Sequence, residues 1–294
     1  MSFEMRQNQQ AARRLAKVVR QRSLPPKSPR QPVMPEGHKT HYLAREHNQR
    51  YAGERLDVSS PQGRFSDGAR AVSGRVLESV RAAGKHLFYE FEGNRIVHVH
   101  LGRYGSYVEQ TSPPEPPQGQ VRLRAISPTH TLDLRGPSQC RLIDSEVQKS
   151  ICDSLGPDPL SGGKKTEVWS AISASGKPIG GLLLDQSIVA GVGNIFRAEA
   201  LFETGLDPHI PGNKLSPDQF TRLWKSLVKM MKLGLKHGRI ITVTAKEAGK
   251  PLKELAGNER FRIYGKMDCP QCGGSIAVDS VASRKMHWCP ECQS

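Results

Sequence analysis

Cys269, Cys272, Cys289 and Cys292 stand in two Cys-Pro-X-Cys pairs separated by sixteen residues, a spacing that lets four thiolates close tetrahedrally around one zinc ion. A single pair would leave a redox dithiol open. Two pairs, in a stretch too short to hold a core of its own, point to a structural site that keeps a hairpin rigid and does no chemistry itself. Gly273 and Gly274 follow the first pair and allow the backbone to turn beneath the sulfurs. The histidines at 38, 41, 47, 98, 100 and 287 do not extend this to a second metal, because no carboxylate sits at a supporting interval. Two further segments could bring backbone or side chain close to a ligand. The run from Asp185 to Asn194 contains Gly191-Val192-Gly193, whose amides could approach a phosphate, although alone such a run reads as a turn. Met34-Pro35-Glu36-Gly37-His38, taken alone, reads as a Pro-Glu pair opening a helix.

These groups need a scaffold, and composition constrains it. The chain has 294 residues, of which 43 are Lys or Arg and 28 are Asp or Glu, giving a formal +15. Residues 1–33 hold +7 of that excess, and the remaining body is still basic at +8. Such an excess points to a polyanion, with nucleic acid favoured over a membrane surface. The longest apolar run, Ile179 to Phe196, is interrupted by Asp185, Gln186 and Asn194, so no membrane span is expected. With four cysteines assigned to zinc, Cys140 and Cys152 remain as free thiols, as suits a reducing cytoplasm.

Along the chain, residues 1–33 read as a basic disordered tail. Residues 34 to about 150 are mostly strand-like, with Arg95 to Leu101 the clearest β-branched alternation and a proline-rich loop from Thr111 to Gln120. After Ser150 the pattern turns helical. Ser216-Pro217-Asp218-Gln219 supplies an N-cap, a proline at the first helical position and a capping-box partner, and Phe220, Leu223, Trp224, Leu227, Met230 and Met231 form the core stripe of the helix that follows. From His237 to Asn258 no period is evident, and a mobile connection is expected.

The Pro35-Glu36 start, the Asp185 to Asn194 loop and the cysteine pairs, in that order, resemble the bacterial formamidopyrimidine-DNA glycosylase and endonuclease VIII family over Met34 to Ser294. The resemblance implies an α+β multidomain protein: an N-terminal β-sandwich catalytic domain over 34–150, a helical domain with a helix-two-turns-helix loop over 151–257, and a zinc ribbon over 258–294. It implies that Pro35 is the nucleophile. A free secondary α-amine is partly unprotonated near neutrality, and its attack on C1′ of a damaged nucleotide gives an iminium, an electron sink for strand elimination. Pro35 is internal as the chain stands, so the functional chain is expected to start at Met34, the upstream segment being a misplaced start or a processed extension. The resemblance further makes Glu36 the acid that protonates the deoxyribose ring oxygen, and Lys85 a contact near the reacting sugar. It assigns Lys177, Asn194 and Arg284 to DNA phosphates, and Arg103 and Tyr104 to the loop that fills the gap left by a flipped base. In the ribbon, Ser283 replaces the glycine that usually precedes Arg284. Arg135 sits where purine-directed relatives carry a base-contacting arginine, but Pro137 replaces their phenylalanine. With the Pro-Glu-Gly start, that favours oxidised pyrimidines over 8-oxoguanine.

The expectation is therefore a monomeric, cytoplasmic glycosylase and abasic-site lyase acting on damaged double-stranded DNA with one structural zinc ion. Two rivals stand beside it. If the tail stays attached, the Pro35 nitrogen is an amide and the chain is a catalytically silent DNA-binding protein; alternatively, the same enzyme acts on 8-oxoguanine and formamidopyrimidines.

Overall fold

In the computed structural model, residues 35–294 are described; the tail expected over 1–33 lies outside them. The alternation of apolar residues builds the first half. In His86–Phe91 (β3) and Arg95–His100 (β4), Leu87, Tyr89, Phe91, Val97 and Val99 face one core, which leaves His86, Phe88, His98 and His100 for the opposite face. With Arg55–Ser59 (β1), Arg75–Ala83 (β2), Ser106–Thr111 (β5), Val121–Ile126 (β6), His130–Arg135 (β7) and Gln139–Ile143 (β8), they form an antiparallel sheet in the order β5-β7-β6-β1-β2-β3-β4-β8.

Only two residue pairs, Arg55 with Val76 and Leu56 with Arg75, join β1 to β2. At that seam the sheet folds over. Leu56, Val58, Leu123, Ala125, Leu132 and Leu134 from one half meet Leu77, Leu87, Tyr89, Val97 and Val99 from the other in a single core, which makes the sheet a β-sandwich. Across β6 and β7, Arg124 forks onto both oxygens of buried Asp133 at 2.7 and 2.8 Å. Asn48 fastens the helix Gly37–Tyr51 (α1) to the sandwich by bonding both backbone groups of Val80. A short helix, Ser66–Val72 (α2), follows β1.

The second half is helical: Ser145–Asp153 (α3), Lys165–Ser173 (α4), Ile179–Leu182 (α5), Asn194–Glu203 (α6), Pro217–His237 (α7) and Ala245–Ala248 (α8). The Ser216 capping box forms, with Gln219 N donating to Ser216 Oγ at 3.1 Å and Ser216 N donating to Gln219 Oε1 at 2.8 Å. Along α7, Phe220, Leu223, Leu227, Met230 and Met231 are buried as the stripe requires, and Trp224 packs at the margin of the same cluster. Ala277–Val281 (β9) and Arg284–Trp288 (β10) form a hairpin whose Val281 and Met286 enter this helical core.

The expected mobile connection from His237 to Asn258 is instead held in place. Arg239 donates to the carbonyl oxygens of Leu252, Lys253 and Leu255, and Ile241, Val243 and Leu255 make a small core of their own. Glu199 of α6 reaches the following segment, where its buried carboxylate accepts the backbone amides of Arg262, Ile263 and Tyr264 and the hydroxyl of Thr242. No periodicity announces such a strap, since it is made by side chains bonding backbone rather than by an apolar face.

Candidate active site and nucleic-acid interface

Glu36 occupies the N-cap of α1, yet its side chain does not cap that helix. It reaches across to the start of α6. Oε1 accepts Ile195 N at 2.7 Å, and Oε2 accepts Gly193 N at 2.9 Å and Phe196 N at 3.3 Å. A carboxylate at a helix N-terminus is favourable for its charge. Burial is the stronger influence: Glu36 is 1% exposed, and its pKa is raised above the usual carboxyl value, with Lys85 and the three amides opposing the rise. The result is a carboxyl group that holds a proton more readily than a free glutamate, immediately after half-buried Pro35.

Lys85 sits in the tight turn between β2 and β3, next to Gly84 at φ +54°. Its Nζ donates to Val192 O at 2.7 Å, and burial lowers its pKa while Glu36 acts in the opposite sense. Glycines allow the three segments to meet. Gly37 N donates to Gly191 O at 2.8 Å, and a Cβ on Gly37 would lie 2.7 Å from Gly191 Cα. A Cβ on Gly193 would lie 2.4 Å from Glu36 Cδ. Gly191 itself turns at φ +84°.

Several supports escaped sequence reasoning. Asp158 accepts from His41 Nε2 and Gly84 N, both at 2.8 Å, and from Leu160 N at 2.8 Å, so it ties the Lys85 turn to α1. Thr40 Oγ1 donates to the carbonyl oxygens of Gly37 and Gly84. Gln186 brackets the loop, accepting from Gly191 N at 3.0 Å and donating to Val192 O at 3.0 Å. Arg197, fully buried on α6, is the largest of the omissions. The contacts that tie these residues to other segments, such as Asp158 to His41 and Gly84 or Arg197 to Gly180 and Val281, join residues far apart in the sequence and leave no spacing signature.

Asn194 begins α6 with its side chain turned inward. Oδ1 receives Arg197, and Nδ2 donates to Lys285 O at 2.8 Å and lies 3.5 Å from Tyr264 OH. Lys177 and Arg284 line one open groove of about 520 Å³ together with Leu184 and Asp185. Arg284 leaves a two-residue hairpin turn in which Ala282 and Ser283 both have positive φ, at 53° and 57°; Ser283 thus adopts the left-handed backbone that a glycine would take without strain. The loop after β4 exposes Tyr104 to 67%, with the Arg103 guanidinium 5.5 Å from its ring centre. Gly136 comes against Tyr104 from the neighbouring loop. Arg135, just before it, lies 3.8 Å from Asp133 and is half-buried. Pro35, Glu36, Lys85 and the start of α6 thus converge, Lys177 and Arg284 share a groove, and Arg103 and Tyr104 lie on a separate loop beside the end of β7 that carries Arg135.

The four cysteine sulfurs lie within 4.8 Å of one another. The 3.8 Å between the sulfurs of Cys269 and Cys292, and the 3.5 Å between those of Cys272 and Cys289, fit the edge of a tetrahedron. A Zn–S bond of about 2.3 Å requires edges of about 3.8 Å. The amides of Gln271 and Gly274 point at the sulfurs of Cys269 and Cys272 at 3.4 Å, as in a knuckle that stabilises thiolates.

Among known proteins, the formamidopyrimidine-DNA glycosylase N-terminal domain matches residues 34–140, and the formamidopyrimidine-DNA glycosylase H2TH domain matches residues 155–246. Endonuclease 8 1 of Mycobacterium tuberculosis is 44% identical over 269 residues, covering 89% of this chain and 100% of its own length. The formamidopyrimidine-DNA glycosylase of Parasynechococcus marenigrum is 30% identical over 264 residues, covering 82% of this chain and 91% of its own. A solved complex between the Lactococcus lactis Fpg and DNA containing an abasic site shares the fold, with a TM-score of 0.73 at 23% identity over 88% of this chain and 99% of that one.

Proposed function

The chain belongs to the formamidopyrimidine-DNA glycosylase and endonuclease VIII family, and on that premise we propose that it is a bifunctional DNA glycosylase and abasic-site lyase that removes oxidised bases from duplex DNA. The observation that carries this reading is the buried Glu36, its pKa raised by that burial, next to Pro35 and facing the N-terminus of α6 with Lys85 alongside. Freed as an N-terminus, Pro35 offers a secondary amine that attacks C1′ of the lesion nucleotide. Glu36 gives its proton to the ring oxygen as the C1′–O4′ bond opens, and the base departs with the glycosidic electron pair. The iminium left on C1′ makes the C2′ proton acidic, and its removal expels the 3′-phosphate and nicks the strand. A carboxyl pKa raised by burial suits the donor, since a free glutamate would be ionised at neutral pH.

DNA is held by sequence-independent contacts. Lys177 and Arg284 would contact phosphates from their shared groove, and Asn194 would contact one from the start of α6. Flipping the nucleotide costs a few kcal/mol, and exposed Arg103 and Tyr104 would fill the vacated stack, with Arg135 beside them. One structural zinc ion would be held by Cys269, Cys272, Cys289 and Cys292, keeping the Arg284 hairpin rigid. The domains follow the divisions 34–150, 151–257 and 258–294, and the protein works as a cytoplasmic monomer on double-stranded damaged DNA.

Oxidised pyrimidines are the favoured lesions, on the Pro-Glu-Gly start and on Pro137. The 44% identity to a protein named Endonuclease 8 1 supports the same side. Excision rates on duplexes containing 5-hydroxyuracil and 8-oxoguanine test it: faster release of 5-hydroxyuracil is expected, and faster release of the purine would reassign the substrate. A second reading follows from the internal position of Pro35: while residues precede it, its nitrogen is an amide and the chain binds damaged DNA without reacting.

A further inference from the structure

Arg197 is the largest fully buried side chain among the described residues, and no carboxylate accepts from it there. Oxygen atoms of three separate segments surround its guanidinium instead. Nη1 donates to Gly180 O at 2.7 Å and Val281 O at 3.2 Å, and Nη2 reaches Arg284 O and Lys285 O, both at 3.4 Å. Nε and Nη2 both donate to Asn194 Oδ1, at 3.1 and 2.7 Å. Burying a charge without an opposite charge is costly, and burial pulls the Arg197 pKa down to about 10. An apolar residue would fill the same space without that cost, so the position makes sense only if the fork itself is needed.

The fork settles the orientation of Asn194. A guanidinium has donors and no acceptor, so the amide atom facing it must be the oxygen. The NH2 group is thereby turned toward Lys285 O and Tyr264 OH, at the edge where α6 meets the hairpin. The same guanidinium grips the carbonyls on both sides of the turn that carries Arg284. We infer that Arg197 is a positioning residue for duplex binding: it fixes the Asn194 amide with its NH2 group toward Lys285 O and Tyr264 OH, and it holds the Arg284 hairpin against the first turn of the helix whose amides receive Glu36. This rests on the reading of Asn194 and Arg284 as phosphate contacts. Lysine cannot replace it, because a single ammonium does not fork to acceptors spread over three segments.

The test measures the Kd for a duplex carrying a tetrahydrofuran abasic-site analogue, across a salt series, for the full chain, Arg197→Lys, Asn194→Asp and the double variant. Zinc content and thermal melting are followed alongside. Arg197→Lys is expected to keep its zinc and weaken binding about tenfold or more, the scale of one charge-assisted hydrogen bond. Asn194→Asp leaves an oxygen for Arg197 but removes the NH2 group that faces the hairpin, so it should weaken binding at least as much while remaining folded. The double variant should be no weaker than the weaker single one, because both changes act through the same amide. Wild-type affinity and salt slope in Arg197→Lys, or losses that multiply in the double variant, would overturn the inference. Should Arg197→Lys lose its zinc or its melting transition, Asn194→Asp decides: unchanged affinity there overturns the inference and weakened affinity supports it. Failure of the unaltered chain to bind the duplex would sink the nucleic-acid reading itself, and this inference with it.

Discussion

Glu36 is held where its charge is expensive. A carboxyl whose folded pKa lies above its unfolded value binds its proton more tightly in the folded state. Its ionisation therefore removes stability as pH rises from the unfolded value near 4.5 through the raised folded one. Glu36→Gln should abolish base release and also flatten this part of the pH dependence, leaving the variant more stable than wild type above the window. An excision assay checks the first part, and urea unfolding on either side of the window checks the second. A variant that is less stable at the alkaline side would mean that the three amide bonds from Gly193, Ile195 and Phe196 outweigh the cost of burial. Little of this was legible in the sequence. The motif names Pro35 and Glu36, but what raises the pKa is burial against a helix more than 150 positions later, whose N-terminal amides oppose the rise. Arg197 was hidden for a related reason: an arginine among apolar residues reads as a solvated charge until the fold shows that both faces of its helix are covered.

Close approach of backbone to backbone is what the elements contribute, and it makes certain glycines indispensable. Gly193 has φ −126°, which any residue can adopt, so its need for a missing Cβ is purely one of space: the added atom would lie 2.4 Å from Glu36 Cδ. Gly193→Ala is expected to cost about 1–3 kcal/mol of stability through overpacking, and to lower glycosylase activity further because the atom displaced is the acid itself. Chemical denaturation and a single-turnover excision assay measure the two effects separately. An alanine variant with wild-type activity would place Glu36 outside the reacting site. At the other end, the ribbon owes its form to its ligands. Val281 and Met286 lean on the helical core, so loss of the metal should loosen the hairpin while the sandwich remains folded. Cys289→Ser is expected to lose zinc and duplex affinity together, read by metal analysis and by titration; full duplex binding without metal would detach the ribbon from the interface. The cysteine spacing and the Ser216 box were legible because each is contained in a short stretch of chain. The strap from Ile241 to Tyr264 was not, since Arg239 and Glu199 build it by bonding backbone groups of residues far from themselves.

At the scale of the whole molecule, a basic body, a sandwich and a helical half meet where Pro35, Glu36, Lys85 and the Gly191 loop converge. The match to the family's N-terminal domain begins at residue 34, which is where a free Pro35 amine would need the working chain to start. Everything catalytic in the account depends on that nitrogen being an amine, because an amide cannot form an iminium. Borohydride trapping on a 5-hydroxyuracil duplex, run in parallel on the full chain and on a form beginning at Pro35, tests it most directly. A covalent protein–DNA adduct is expected from the Pro35 form and none from the full chain while its tail stays attached. No adduct from the Pro35 form, on this duplex or on one with an abasic site, would contradict it and leave a protein that binds damaged DNA without cutting it.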